Sequence, residues 1–135
     1  MTIRNLDSYI GALWDWGFLD DCFGGTRIKV TDMDGLVERN HHYLMLEAKG
    51  PGKDIPRGQQ ILFDHLREDF GDRFHILVIW GEPNKPEACQ LWGHSKTSAD
   101  IETIRRVVGK WWTFANRQHF TQNVKSTIVD KRTAA

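Results

Sequence analysis

Cysteine is nearly missing from this chain: Cys22 and Cys89 are the two in 135 residues. They lie far apart, with no second cysteine at metal-ligand spacing, which argues against a disulfide framework or a zinc site and predicts two buried thiols. No apolar run approaches the roughly 20 residues needed to cross a bilayer. The opening stretch MTIRNLDSYIGALWDW also lacks the charged, apolar and small-residue layout of a secretory leader. A cytoplasmic protein with no membrane partner is the expectation. Net charge is lacking too, with 18 Lys and Arg against 18 Asp and Glu, and there is no internal repeat or low-complexity segment.

What is present suits one folded domain spanning 1–135, since 40% of positions are apolar and 27% charged. The charge is unevenly spread. Residues 1–95 carry 10 Lys and Arg against 15 Asp and Glu, whereas 96–135 carry 8 against 3. An acidic region followed by a basic one suits a metal pocket beside a phosphate-binding surface, although scattered solvated charge gives the same counts.

Hydrophobic spacing supplies the elements. Leu6, Tyr9, Ile10, Leu13 and Trp14 recur at helical intervals and Gly17 closes the pattern, predicting a helix over about 5–15 that packs one face on a sheet. Beyond Gly24 and Gly25, residues 26–38 and 42–49 read as two strands of a hairpin. GPGKDIP then breaks the chain, and 57–69 form a helix with Leu62, Phe63 and Leu66 inward. The apolar run FHILVIW, 74–80, predicts a strand covered on both faces. ACQLWGH, 88–94, is a further strand, and Ser98 or Asp100 caps a long helix over 101–117. Residues 118–135 are polar and are expected to fray. This order predicts an α/β fold, a mixed central sheet flanked by helices.

The chemistry is concentrated in the hairpin. With Asn40 and His41 as the two turn residues, Arg39 faces His42 and the register sets Asp34 opposite Glu47. Strand alternation puts Lys49, and Asp32 facing it, on the same side. Two opposed carboxylates repel each other, and a divalent cation is the strongest compensator. The bland alternative is a solvated face with an ordinary Asp32–Lys49 ion pair. A one-residue change of register would move Asp34 to the other side.

The segment 47–66, EAKGPGKDIPRGQQILFDHL, resembles the core of the VRR-NUC (virus-type replication-repair nuclease) family of the PD-(D/E)XK nuclease superfamily. In that pattern a strand acid precedes Glu-x-Lys-Gly-Pro-Gly, and a helix opening with Gln follows. Asp34 matches the first acid, Glu47 and Lys49 the Glu-x-Lys pair, Gly50, Pro51 and Gly52 the loop, and Gln59 the helix glutamine. The likeness spans about 28–66 and departs from the superfamily name at Met33, where that name has Pro. It implies a PD-(D/E)XK core, Mg²⁺ as cofactor with Mn²⁺ as a substitute, and endonuclease action on DNA. It also implies branched or Holliday-junction substrates in replication, recombination or repair, a phage or bacterial context, and a homodimer.

The residue types carry a mechanism of their own. Asp34, Glu47 and the backbone carbonyl of Ala48 offer hard oxygens to Mg²⁺, which polarises the scissile phosphate and acidifies a bound water. Lys49 either orients or deprotonates that water or stabilises charge on the phosphorane. Gln59 shares the inward face of its helix and is polar, which makes it a site residue or a satisfier of helix-start amides. On the last helix Ile101, Ile104, Val108 and Trp111 form a packing stripe, while Arg106, Lys110 and Arg117 form a cationic ridge for the nucleic-acid backbone. Trp112 is either a base-stacking platform or a packing residue. The rival readings are a non-catalytic nucleic-acid-binding module on the same fold, a sequence-specific restriction enzyme, and a metal-stabilised interaction protein.

Overall fold

The structure, a computed structural model, describes residues 5–117. The chain divides into two units, residues 1–32 and 33–135. The first holds helix α1, Leu6–Gly11, whose cap is Asn5, its side-chain oxygen accepting from Ser8 N at 3.0 Å. A 3₁₀ segment, Trp16–Cys22, follows, started by Asp15, whose carboxylate accepts from Gly17 N at 2.9 Å. The helix expected over 5–15 is therefore shorter, because Asp15 begins a new turn within that span. No residue of α1 or of the 3₁₀ segment is buried, and Cys22 is exposed, contrary to the buried thiol expected there.

The second unit is built on a five-stranded mixed sheet whose spatial order is its chain order. Its strands are β1, Gly35–Arg39; β2, His42–Lys49; β3, Phe74–Glu82; β4, Lys85–Leu91; and β5, Thr97–Ser98. All neighbours are antiparallel except β2 and β3, which run parallel and are joined through helix α2, Arg57–Phe70. Helix α3, Ile101–Arg117, follows β5. The expected α/β class, with a mixed sheet and flanking helices, is the one observed. Among the described residues no helix is long and apolar enough to cross a membrane.

Alternation along β2 and β3 divides the core into two layers. Met45, Phe74, Ile76, Val78 and Trp80 meet Phe63, Leu62 and Leu66 of α2 on one face. Leu44, Leu77 and Cys89 meet Trp111 and Ala115 of α3 on the other. β3 contributes to both, as the continuous apolar run predicted. Ile101, placed in the packing stripe by its spacing, is 51% exposed.

The hairpin register is the expected one, from Arg39↔His42 to Gly35↔Leu46. Asn40 and His41 both have positive φ, 53° and 64°, as a two-residue turn of matching twist requires. Asn40 Nδ2 also donates to the Ala115 carbonyl at 3.2 Å, tying the turn to α3. The strand expected over 26–38 does not form along its whole length, and β1 begins only at Gly35. In this register the Ala48 amide would donate to the backbone of Met33, but it donates instead to Asp34 Oδ2 at 2.8 Å. The side chain of Asp34 thus takes the ladder bond and ends the strand.

The strand expected over 88–94 instead spans Lys85–Leu91. Its earlier start follows from the Pro83–Asn84 turn, where Asn84 has φ 63°, and from an irregularity between Trp80 and Gly81. Gly81 has φ 151°, and a Cβ there would run into the Lys85 carbonyl oxygen. Asp100, rather than Ser98, starts α3, its Oδ1 accepting from Thr103 N at 2.9 Å and from Thr103 Oγ1 at 2.8 Å. These bonds to Thr103 hold the Asp100 carboxyl below the usual carboxylate range.

Candidate functional site

The polar residues singled out on β2 lie on the α2 face, where Met45, Glu47 and Lys49 alternate with residues facing α3. Glu47 is 5% exposed and is one of the two buried polar residues of the described core. A carboxylate so far from water needs partners, and it has them. Lys49 Nζ lies 3.3 Å from Glu47 Oε1, and Gln59 Nε2 donates to the same oxygen at 3.0 Å.

Gln59 reaches Glu47 because of the loop between β2 and α2. Lys53 N donates to the Gly50 carbonyl at 3.2 Å, closing a turn with Pro51 and Gly52 at its centre. Proline presets φ at the first central position, and the second, with φ 69°, requires glycine. Trp80 Nε1 then donates to the Lys53 carbonyl at 2.6 Å and Gln60 Nε2 to the Ile55 carbonyl at 2.8 Å. The loop is thereby pinned over β3, with the first turn of α2 above Glu47. Gln60 is half-buried through that bond.

Asp34, Glu47, Lys49 and Gln59 are thus brought together by two sets of contacts. Glu47, Lys49 and Gln59 share one oxygen, while Asp34 is fixed to Ala48, the residue between Glu47 and Lys49. Because the N–H and C=O of a strand residue point to the same side, the Ala48 carbonyl faces the edge where Asp34 is held. Asp32, expected to face Lys49, lies outside the ladder, which ends at Gly35.

This set fits a hard divalent cation. Gln59 Oε1 is buried with no hydrogen-bond partner among the described residues, an acceptor that water held at the site would satisfy. Among these residues no three His, Cys, Asp or Glu are gathered to hold a metal. A cation here would therefore draw on Asp34, Glu47, the Ala48 carbonyl and water, the mixed shell that Mg²⁺ favours.

Two grooves lie near these strands. One, of about 730 Å³, runs past Ala48, Lys49 and Gly50 to Gly81, Asn84 and the start of α3 at Ile101, Ile104 and Arg105. Arg105 was not singled out from sequence. Its signal was its position, four residues after Ile101 and three before Val108, a cation inside an apolar stripe. The other groove, of about 580 Å³, is lined by Arg106, Gly109, Lys110, Thr113, Phe114 and Arg117. The three cations expected to form a ridge do share one face, and Gly109 opens the space between them. Trp112, 49% exposed, carries the Arg39 guanidinium 5.3 Å from its ring centre, and Arg39 Nε donates to Asn116 Oδ1 at 2.8 Å. One face of Trp112 is therefore already stacked.

No protein-family model matches this chain, and neither a curated protein nor a solved structure proved significantly similar to it, so the functional reading rests on the residues themselves.

Proposed function

We propose that the protein is a Mg²⁺-dependent endonuclease acting on DNA, with a PD-(D/E)XK-type core of the VRR-NUC kind. The observation that carries this reading is the convergence of Lys49 and Gln59 on the buried Glu47 carboxylate, one residue from the amide that holds Asp34. A purely structural sheet has no use for a buried Glu, Lys and Gln on the face it packs against a helix.

When bound, Mg²⁺ supplies Lewis-acid stabilisation of phosphate charge. Glu47 and Asp34 would hold the cation, and Gln59 fixes the Glu47 carboxylate so that its orientation does not change when substrate arrives. Lys49, paired with Glu47 at 3.3 Å, is the residue of this chain placed to orient the attacking water or to stabilise charge on the phosphate. The Arg106, Lys110 and Arg117 groove holds backbone phosphates without reading bases, so affinity falls steeply with salt. Recognition of branched or junction DNA by a homodimer suits a unit with little surface for reading a long sequence.

The test is cleavage of labelled duplex, single-stranded, flap and four-way-junction DNA with Mg²⁺ or Mn²⁺. Wild type is expected to cut in a metal-dependent manner, and Lys49→Ala and Asp34→Ala to lose about 10²–10³-fold in rate. Wild-type protein that binds these DNAs and cuts none is a non-catalytic binding module. Protein that does neither refutes the nucleic-acid assignment.

A further inference from the structure

Between the sheet and α3 lies a cavity of about 370 Å³, distinct from the Glu47 site on the opposite face. Its walls are largely apolar, with Leu44 and Leu77 from the sheet and Val107 and Phe114 from α3, and His94, Ser95 and Thr97 also line it. Two of the residues lining it carry buried nitrogens without a hydrogen-bond partner among the described residues: Trp111 Nε1 and His75 Nδ1. Trp111 is 6% exposed and its indole nitrogen can only donate. The ring of His75 stands edge-on to Phe114, with centroids 5.6 Å apart. Lys110 lines the same cavity and contributes a cation.

Buried polar nitrogens left unpaired are costly, and a packing defect would be lined by carbon alone. We propose that this cavity is a binding site for a small apolar monocarboxylate. Its carboxylate would accept from Trp111 Nε1–H and His75 Nδ1–H and be balanced by Lys110, and its hydrocarbon part would fill the space against Leu44, Leu77 and Val107. Burial is the main cause that lowers the His75 pKa, helped by Arg67, so its ring is neutral near pH 7 and in its Nδ1–H tautomer has that N–H to give. At roughly 30 Å³ for each water in the liquid, the cavity holds about a dozen non-hydrogen atoms, the size of a medium-chain fatty acid or a phenylalkanoate.

The test is a titration of ¹⁵N-labelled full-length protein with sodium octanoate below its micelle concentration, with 1-octanol as the uncharged control. The Trp111 indole resonance is assigned as the one missing in Trp111→Phe. The expected result is a saturable shift of that resonance with octanoate. Calorimetry is expected to give one site, weakened about tenfold in Trp111→Phe and at least tenfold for octanol. If that variant fails to fold, the Trp111 indole resonance is assigned from triple-resonance spectra of the wild type, and the wild-type titration decides. An unmoved Trp111 resonance, or octanol binding as tightly as octanoate, overturns the proposal, the second by showing a greasy cavity without polar recognition. DNA cleavage is a separate readout, so failure here leaves the nuclease proposal standing.

Discussion

At the scale of single residues, the Glu47 cluster sets stability against chemistry. The side chains of Glu47 and Lys49 are 7% and 15% exposed, so their ion pair is screened far less than a surface pair. Removing the cation leaves a buried carboxylate with Gln59 as its remaining partner. Lys49→Met is expected to lower the unfolding free energy by about 1–3 kcal/mol without divalent ions, measured by urea denaturation. The pairing of Glu47 with Lys49 was legible because charge at alternate strand positions signals one shared face. The actual role of Asp34 was not. Register alone set it opposite Glu47, but a short acidic side chain competes for backbone amides, and it takes the one on Ala48.

At the scale of elements, what sequence could show depended on whether local chemistry decided the outcome. The β1–β2 hairpin was readable to the residue because a two-residue turn fixes register by itself. Residues 26–34 looked like a strand, with Ile28 and Val30 alternating with polar neighbours, yet alternation does not supply a partner strand. The Thr26 hydroxyl also accepts from Ile28 N at 3.2 Å, a local bond in place of a ladder. β5 has two residues and leaves no pattern to find. The β3–β4 connection depends on Gly81. Gly81→Ala is expected to cost roughly 1–3 kcal/mol, because the new methyl meets the Lys85 carbonyl at a backbone angle that alanine avoids. A lower urea midpoint with unchanged slope is the measurement.

At the scale of the whole molecule, the acid limb of stability reports on His75. Its pKa is lowered by burial first and by the Arg67 charge next, against an opposing pull from Asp72, with His42 and His94 adding small lowering contributions. The folded state therefore takes up its proton less readily than the unfolded chain. The stabilisation from a neutral His75 is complete above about pH 6.5 and is lost as pH falls through the folded value. His75→Gln is expected to shrink the difference in melting temperature between pH 7.5 and pH 5.5. An unchanged difference would assign the acid sensitivity to other groups. The mixed α/β architecture was readable from element order, whereas the cavity beside α3 was not, since apolar periodicity says which residues turn inward but not whether they meet.

The sheet's chain-ordered layout also bears on how the protein is made. As the chain leaves the ribosome, each strand from β2 onward emerges beside a partner already present, and α2 follows β2 in time to cover one face. The other face waits for α3, which is the last described element and whose Ala115 carbonyl receives Asn40 from 75 residues upstream. Synthesis of the 40 residues that follow Leu77, up to Arg117, at roughly 5–20 residues per second leaves that face bare for about two to eight seconds. In that interval the nascent chain presents a greasy sheet surface, the form in which chaperones would meet it and in which ribosome stalling within α3 would turn it to aggregate.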